Sequence, residues 1–587
     1  MSVEHSSPQK SPSRLSVLKK AIPILEWGFP YPRANAVGDI TAGIIVASLL
    51  IPQSMAYALL AGLPPQMGLY ASILPQIIYA CLGTSRILSV APVAVDSLMV
   101  ATAVGALATQ GSPEYIQLAI ALAALVGGIE VVIGLLRLGF LVNFLSQAVI
   151  SGFISAAAIL ISVSQLKHLL GVKIPQSEAL VQLVTSLIQA LPETNGITLL
   201  MGLGSIALLL FFSRGLGGWL QQRGMSPAAI IPVTKSAPLL VVILGILTVW
   251  LFHLDQTASV KVVGSIPSGL PPIGFPAISR TDWQTLFSSA LAISFVGFME
   301  AYAVGKFLAS KRRQRVEANQ ELIALGVANL GASFTGGYVV TGGLSRSVVN
   351  FSAGANTGLA SIITALILLL TILFLTPLFY FLPQTCLAAI ILVAVVNLLD
   401  FATLKRLWIY NKTDAIAWIA AFVAVLVTSV QTGILIGAVI SLMLHLWRTS
   451  RPHIAIVGRV GETEHFRNVL RHSVKTCPHV LAIRVDESLY FVNTKYLEDY
   501  VLKAISQNPD VKYLLLVCSA INIIDGSALE TLRRLIADLQ VRGITFCMAE
   551  VKGPVMDHLE QIGFVDELGR DRIFLSTDQA MRALECA

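Results

Sequence analysis

Charged residues are scarce in this chain of 587 residues. Asp, Glu, Lys and Arg make up 12% of it, against roughly 25% in an average soluble protein, and 55% of the residues are hydrophobic. The deficit is uneven, because residues 1–450 hold 24 Lys/Arg and 15 Asp/Glu, whereas residues 451–587 hold 16 and 18. This excludes an ordinary soluble enzyme and predicts a membrane part followed by a soluble part.

Cysteine is scarce as well, and no cofactor is expected. The six cysteines form no Cys-x-x-Cys pair and no Cys/His cluster in the sequence, which predicts neither a disulfide framework nor a metal site. No nucleophile–base pattern points to an enzyme. The histidines of the soluble part follow no ligand spacing; they are His453, His465, His472, His479 and His558.

The basic excess lies in the hydrophobic part of the chain, where Lys and Arg orient membrane spans. A nucleic-acid partner is therefore not expected. Residues 1–20 are polar and basic without an apolar core, so we expect no cleavable signal peptide before the first span.

Apolar stretches recur through residues 40–447, and roughly fourteen approach the ~20 residues that a helix needs to cross a bilayer. An even number of spans places both termini on one side. Basic residues are retained in cytoplasmic loops, so their positions test this topology. The loops predicted to lie on the other side of the membrane carry few basic residues, chiefly Lys173, Lys261 and Arg280. The predicted cytoplasmic segments carry Lys10, Arg14, Lys19, Lys20, Arg33, Arg86, Arg137, Arg214, Arg223, Lys235, Lys306 to Arg315, Lys405, Arg406, Lys412, Arg448 and Arg451.

Two short segments interrupted by Gly or Pro lie third in each half of this series. They read SVAPVAVDSL at 89–98 and TGGLSRSVVN at 341–350. Such paired interruptions are typical of a transporter built from an inverted repeat of seven spans per half. The alternative is a bundle of continuous helices with incidental turns. A further break is expected at Pro52 in the first span.

The chain after residue 450 changes its period. Apolar runs alternate with amphipathic stretches, which predicts a small α/β domain. The runs lie at 479–485, 511–524 and 543–551, and the amphipathic stretches lie around 494–507 and 527–541.

The interrupted spans predict an anion site. A helix that begins inside the membrane exposes backbone N–H groups with partial positive charge, and two such ends facing each other suit an anion. The breaks at Ala91-Pro92 and Gly342-Gly343 place these amides near Val93 and Ser347. The hydroxyls of Ser345 and Ser347 can also donate.

Two charged side chains lie in apolar sequence near the breaks. Arg346 supplies a permanent positive charge for an anion, or serves as a structural partner of a helix C-terminus or a carboxylate. Glu300, in LAISFVGFMEAYAVG, can take up and release a proton, or is a constitutively paired structural residue. The two residues could also pair with each other when the site is empty.

Further polar residues lie in other predicted spans. Gln53 and Tyr57 are four residues apart on one helix face, so their amide and phenol groups can offer uncharged donors to a substrate. The alternative is that they form hydrogen bonds between helices. Asp96 and Glu130 are expected to be packing or gating partners rather than coupling sites.

In the soluble part, IIDGSALETLRRL places Asp525 and Ser527 at a strand-to-helix turn. Either residue can cap the following helix. The alternative is regulatory phosphorylation of Ser527, which would add negative charge at a helix N-terminus.

These residues resemble the SulP family of sulfate permeases and related anion transporters over nearly the full chain. The similarity is carried by AGIIVASLLIPQSMAYALLAGLPPQMGLYAS, LLRLGFLVNFLSQAVISGF, SVSQLKHLLG and ANQELIALGVANLGASFTGGYVVTGGLSRSVVNFSAGANT. The soluble part resembles the STAS domain of that family. The resemblance implies fourteen spans as a 7+7 inverted repeat, with spans one to four and eight to eleven as a core, the others as a gate, and commonly a homodimer.

The resemblance also implies roles for single residues. Gln53, Tyr57, Ser345 and Arg346 fall on substrate contacts, and Glu300 falls on the carboxylate of proton-coupled plant-type symporters. Two departures stand out. Ala91-Pro92 replaces the Gly-Pro of many members and is followed by Asp96, whose charge would repel an anion unless it is neutral or turned away. Asp525-Gly526-Ser527-Ala528 replaces an Asp-Ser-Ser/Thr-Gly type of turn.

We therefore predict an inorganic-anion transporter, most simply a proton-coupled sulfate symporter in the plasma or inner membrane with cytoplasmic termini. The predicted domains are a cytosolic N-terminal segment (1–35), a transmembrane domain (36–447) and a linker with a cytosolic STAS-like domain (448–587). The alternatives are sodium-coupled bicarbonate uptake, anion exchange, and a membrane-anchored signalling protein whose tail binds a partner.

Overall fold

The structure, a computed structural model, divides into two compact units, Met1–Ser441 and Leu442–Ala587. Residues 1–20 of the predicted N-terminal segment, with their basic residues, and Lys235 lie outside the described residues. The described residues are 21–586 without 141–145, 175–179, 226–229, 231–232, 235, 267–268, 277 and 429.

Helices of the first half of unit one follow the predicted apolar stretches. The strand β1 (Val90–Ala91) precedes α5, and a π-helical segment (Phe211–Leu216) joins α9 to α10. The helices are α1 (Ile24–Trp27), α2 (Ala36–Leu60), α3 (Pro65–Tyr70), α4 (Leu74–Leu82), α5 (Ala94–Gly105), α6 (Pro113–Leu135), α7 (Gln147–Leu170), α8 (Leu180–Ala190), α9 (Gly196–Leu210), α10 (Gly217–Gln222), α11 (Ala237–Phe252) and α12 (Leu254–Thr257).

The second half repeats this arrangement. The strand β2 (Thr341–Gly342) precedes α15, as β1 precedes α5. The helices are α13 (Arg280–Lys311), α14 (Ala318–Phe334), α15 (Leu344–Ser352), α16 (Leu359–Leu370), α17 (Gln384–Val396), α18 (Phe401–Tyr410), α19 (Lys412–Val427) and α20 (Val430–Thr449).

Within the described residues, 7 helical segments are long and apolar enough to cross a membrane. Shorter apolar helices lie at Ala94–Gly105, Ala237–Phe252 and Leu435–Thr449. Large apolar side chains such as Leu200, Trp250 and Phe374 remain exposed, as lipid-facing residues do. The protein is a polytopic helical membrane protein followed by a soluble α/β domain.

The predicted break at Pro52 is wrong. The helix α2 runs through Pro52 without interruption, although this residue has no N–H for the helix ladder. Gln53, Ser54 and Met55 are all buried at this point, so neighbouring elements hold the helix in place. Proline is tolerated in membrane helices when such packing supports the weakened turn.

The α/β organisation predicted for unit two is confirmed. Its sheet has the strand order β4-β3-β5-β6-β7-β8, with β5 to β8 parallel and β3 antiparallel to both of its neighbours. The elements are β3 (Ile454–Arg459), β4 (Phe466–Asn468), β5 (Val480–Val485), α21 (Thr494–Ser506), β6 (Tyr513–Val517), α22 (Gly526–Val541), β7 (Thr545–Ala549), α23 (Gly553–Gln561), α24 (Phe564–Leu568), β8 (Ile573–Phe574) and α25 (Thr577–Ala583).

Alternate residues of the strands point to opposite faces of this sheet and pack into separate cores. On one face, side chains such as Ile483, Leu516 and Met548 pack with α21, α22, α23 and α24. On the other face, the residues packed against the strands include Ala580 and Met581 of α25.

The expectation of no disulfide is wrong. Cys477 and Cys586 form a disulfide with a Cα–Cα distance of 5.8 Å, and the His479 ring lies beside both sulfur atoms. The potential ligand atoms of the three residues lie within 4.8 Å of one another. Sequence spacing could not reveal this cluster, because 109 residues separate the two cysteines and only the folded sheet brings them together.

Candidate anion-binding site

Two short strands cross where both interrupted helices begin. β1 and β2 pair antiparallel, with Val90 opposite Gly342 and Ala91 opposite Thr341. Each strand leads directly into a short helix, α5 or α15. The pairing therefore brings two helix N-termini from opposite halves of the chain to one place. The predicted interruptions are confirmed, and continuous helices are excluded in both segments.

Neither of these N-termini carries a side-chain cap. The N-cap residues Val93 and Gly343 have extended backbone, and no side chain accepts a hydrogen bond from the first turn. The first N–H groups of a helix have no acceptor within the helix, and the aligned peptide dipoles make this end partly positive. Both ends can therefore donate to an anion.

Ser347 fastens the crossing. Its Oγ donates to the Gly343 carbonyl at 2.7 Å and accepts from the Ser89 N–H at 3.0 Å. The Ser347 N–H also donates to the Gly343 carbonyl, at 3.1 Å. These bonds give Ser347 a role in holding the two breaks together, so the amides left for an anion are those of the first three residues of α15.

The Arg346 side chain reaches from α15 to the other interrupted span. It is buried, with 1% of its surface exposed, and it donates from Nη1 to Pro92 O at 2.8 Å and from Nη2 to Ala91 O at 3.0 Å. The guanidinium lies over Gly343, where a Cβ would come within 2.8 Å of Cζ. Glycine at this position leaves the space that Arg346 occupies.

The positive charge of Arg346 has no anionic side chain bonded to it. Among the described residues, no ion pair joins the guanidinium to a carboxylate, and its Nε has no hydrogen-bond partner. Glu300 interacts with Arg346 electrostatically, but its Oε2 has no hydrogen-bond partner either. The suggested Arg346–Glu300 pair is therefore absent from this arrangement.

Gln53 and Tyr57 lie on one face of α2, as predicted. Gln53 Nε2 donates to the Tyr57 hydroxyl at 2.9 Å, and both side chains are buried. Gln53 Oε1 has no partner, and Tyr57 interacts electrostatically with Arg346 and Glu300. The structure thus brings these two residues together with Arg346.

Ser345 lies on the accessible side of α15. Leu344, Ser345 and Val348 are exposed, while Arg346 and Ser347 are buried. One side of the helix therefore holds the crossing together and the other faces open space. The Ser345 hydroxyl is placed next to the buried guanidinium in the chain and can be reached from that space.

Glu300 lies on α13 and lines a small cavity of about 20 Å³ between α13 and α7. Its Oε2 atom is buried without a hydrogen-bond partner among the described residues, which makes a negative charge there unfavourable. The other residues lining this cavity are all apolar: Val149, Ile150, Phe153, Ile154, Val296 and Met299.

Asp96 faces α13 from the start of α5. It is fully buried in the first turn of α5, and neither carboxyl oxygen has a hydrogen-bond partner. Its Oδ2 lies against α13, because a Cβ on Gly297 would be only 3.1 Å away. Gly297 is one helical turn before Glu300, so the two carboxyls share one side of α13.

Glu130 has a packing role. Asn329 Nδ2 donates to Glu130 Oε2 at 3.0 Å and to Val340 O at 3.1 Å, and Asn329 Oδ1 accepts from the Val340 N–H at 2.8 Å. This network ties α6 and α14 to the residue just before β2. Sequence reasoning missed Asn329, although it lies within an apolar stretch.

Two buried acids that sequence reasoning also missed hold the loops beside the half-helices. Asp39 Oδ1 accepts from the N–H groups of Asn356 and Thr357 at 2.6 and 3.0 Å. Glu321 Oε1 accepts from the Thr84 N–H at 2.7 Å. Both acids lie in the first turn of a long helix, which is the one feature of the sequence that could have drawn attention to them. Their hydrogen-bond partners could not be predicted, because they are more than 230 residues away in the chain.

In the soluble unit, Asp525 caps α22. Its Oδ1 accepts from the Ala528 N–H at 2.8 Å, and its Oδ2 accepts from the Phe491 N–H at 2.9 Å. The capping prediction is therefore confirmed for Asp525. Ser527 is exposed in the first turn of this helix, and its phosphorylation stays a prediction.

Comparison with known proteins identifies the family. Residues 37–421 match the sulfate permease family, well over half of the chain. The chain belongs to this family. Residues 472–580 match the STAS domain. This sulfate permease family member is 36% identical over 555 residues to "Sulfate transporter 4.1, chloroplastic" of Arabidopsis thaliana, which covers 93% of this chain and 79% of that protein.

The chain is also similar to a second plant protein and to a solved structure. It is 35% identical over 590 residues to "Sulfate transporter 1.2" of Arabidopsis thaliana, covering 98% of this chain and 89% of that protein. It also matches the structure of the murine Solute Carrier 26 family member A9 anion transporter in the inward-facing state. That match has a TM-score of 0.89 and 25% identity, and it covers 99% of this chain and 97% of the other.

Proposed function

We propose that this chain moves sulfate inward together with protons by alternating access. The observation that carries the proposal is the crossing of β1 and β2. It joins two uncapped helix N-termini to the buried guanidinium of Arg346, to which no carboxylate of the described residues is bonded. Sulfate is the anion favoured by the names of the plant relatives.

The anion lies between the two half-helices in this proposal. Arg346 supplies charge, the amides that follow Val93 and Gly343 donate from both sides, and Ser345 donates from the accessible side. Gln53 and Tyr57 add uncharged donors from α2. The Ser347 hydroxyl supports the site by holding the crossing together, because it is bonded to the Ser89 N–H and to the Gly343 carbonyl.

Glu300 couples the proton to this movement. When its carboxyl is ionised, it competes with the dianion for the field of Arg346, and it lies against the apolar side chains of α7. Protonation removes both effects, because a neutral carboxyl neither competes for the guanidinium nor resists burial. The core, which includes α13, can then move past the gate, which includes α7, with its anion bound.

The wider arrangement is part of the proposal. The protein lies in the plasma or inner membrane as a homodimer, with both termini in the cytoplasm. The chain divides into the N-terminal segment 1–35, the transport domain 36–447 and the STAS-like part 448–587.

Uptake of radioactive sulfate into proteoliposomes under an imposed proton gradient tests the function. We expect uptake to rise when the outside is acidic, and to persist when sodium is replaced by choline. Uptake of bicarbonate that requires sodium, or sulfate uptake indifferent to the gradient, would contradict proton-coupled sulfate transport.

The Glu300→Gln variant tests the coupling residue. Glutamine resembles the protonated carboxyl, so we expect sulfate exchange to remain and its response to the proton gradient to disappear. Glu130→Gln is the matched control, because it removes a buried acid that binds Asn329 instead of facing α7. A full gradient response in Glu300→Gln removes this role from Glu300.

A further inference from the structure

The C-terminal turn of the soluble unit is folded back onto its own helix. The Cys586 N–H donates to Met581 O at 2.9 Å and the Glu585 N–H donates to Arg582 O at 3.2 Å, while Glu585 has a positive φ of 57°. This is the Schellman arrangement of a helix end. It places Cys586 over Met581, whose side chain is buried against the sheet.

Among the contacts described for Glu585 and Cys586, those of the Cys586 side chain join this turn to another part of the fold. The start of α25 is held independently, because Asp578 forms an ion pair with Arg459 at 2.6 Å and the Thr577 hydroxyl donates to Glu550 at 2.6 Å. The bond from Cys586 to Cys477 joins the turn to the residues just before β5. Breaking that bond therefore frees the last turn and leaves the rest of α25 in place.

A histidine lies beside both sulfur atoms. His479 Nε2 is 3.2 Å from Cys586 Sγ and 3.6 Å from Cys477 Sγ. The ring is positioned by its backbone, since the His479 carbonyl accepts from the N–H groups of Lys512 and Tyr513 at the start of β6. All three side chains of the cluster are partly exposed, so small molecules can reach them.

The other cysteines of the soluble unit have a different environment. Cys518 and Cys547 are 1% and 2% exposed. Burial raises the pKa of the Cys547 thiol to about 11, and it also raises that of Cys518. Because the thiolate is the reactive form, these two thiols are inert at neutral pH.

We propose that Cys477 and Cys586 form a reversible thiol–disulfide pair that exchanges with small-molecule disulfides such as glutathione disulfide and fastens or frees the turn that follows α25. In the reduced form, the Cys586 thiol gives its proton to His479 Nε2. The thiolate attacks the small disulfide, forms a mixed disulfide and releases one thiolate, which takes up a proton. The Cys477 thiolate then attacks Cys586 Sγ and releases the second small thiol. Two protein thiols are oxidised, and one small disulfide is reduced to two thiols.

The test equilibrates the full-length protein in detergent with glutathione buffers of increasing oxidised fraction. After acid quenching and denaturation, free thiols are alkylated and counted by mass spectrometry. We expect six alkylated cysteines in reducing buffer and four in oxidising buffer, with Cys477 and Cys586 changing together. Peptides with Cys518 and Cys547 are the internal control. A pair that stays reduced in every buffer, or oxidised in every buffer, overturns the proposal.

Variants distinguish thiol–disulfide exchange from metal binding by the same three residues. Cys477→Ser removes the resolving thiol and should trap a glutathione adduct on Cys586, and His479→Asn should slow disulfide formation at neutral pH about tenfold, because the base that makes the thiolate is gone. Trypsin should cut after Arg582 faster in reduced than in oxidised protein. One bound zinc ion per chain that is lost in the Cys477→Ser variant, or equal trypsin cleavage in both redox states, contradicts the proposal.

Discussion

The half-helices α5 and α15 begin at the same strand crossing, but they present different chemistry to it. The start of α15 carries the buried cation Arg346 and the accessible hydroxyl of Ser345. The start of α5 is apolar, and its acid, Asp96, faces Gly297 on α13. The repeat thus supplies the shape of the site twice, whereas one half supplies its positive charge.

The two halves nevertheless depend on each other at this point. The carbonyls of Ala91 and Pro92 accept both hydrogen bonds of the Arg346 guanidinium. The loop before α5 therefore holds in place the charge that α15 provides. A change at Arg346 should disturb both half-helices, whereas a change at Asp96 should disturb neither the charge nor the crossing.

Replacing Arg346 should have the largest effect. Arg346→Ala removes the charge that the proposed site offers to sulfate. We expect kcat/KM for sulfate uptake to fall about 100-fold, the equivalent of one charge-assisted hydrogen bond to the anion. Arg346→Lys keeps the charge without the forked geometry and should lose about tenfold. Proteoliposome uptake over a range of sulfate concentrations measures both.

The same preparations are used to check that each variant is folded. Each variant must match the parent protein in yield and in elution from a gel-filtration column, because the crossing could loosen. Near-normal uptake by a folded Arg346→Ala variant would show that the positive charge at the start of α15 is not needed for transport.

Ser345→Ala should have an intermediate effect. The hydroxyl is accessible, and in the proposed site it adds one neutral hydrogen bond to the anion. Such a bond is worth about 1 kcal/mol, so KM for sulfate should rise about fivefold. Since the bond forms with the substrate already in its ground state, kcat should change little. Ser97→Ala is the matched control from α5, where the hydroxyl is bonded to Tyr338 instead. An equal rise in KM for both variants would remove the distinction between the two helices.

Asp96→Asn should have the smallest effect. Asparagine has the shape of the neutral acid, and the native carboxyl has no hydrogen-bond partner to lose. We expect KM for sulfate to stay within about twofold of the parent value, because the side chain lies against Gly297 and the substitution leaves the backbone amides of α5 in place. The proton-gradient response should also persist. If Asp96→Asn abolishes that response, the proton is carried by the α5 side of the crossing as well.

The local sequence was sufficient to predict the secondary-structure elements. Apolar length, Gly/Pro interruptions and a change of period predicted the spans, both breaks, the α/β tail and the cap at Asp525. These features depend on residues close together in the chain, and the physical causes, burial of apolar surface and backbone geometry, act over a few residues. The residue types at the crossing also indicated a positive, donor-rich site.

Which partner each polar side chain has was decided only by the tertiary structure. The carbonyls that hold Arg346, the orientation of Asp96 and the Cys477–Cys586 bond all join residues at least 109 apart in the chain or on different helices. Pro52 likewise lies in an unbroken helix because its neighbours are packed. A buried polar group takes the partner that packing brings within about 3 Å, and no local pattern fixes that distance. The sequence by itself determined that this chain crosses a membrane with two interrupted helices, and the packing decided how their charges are arranged.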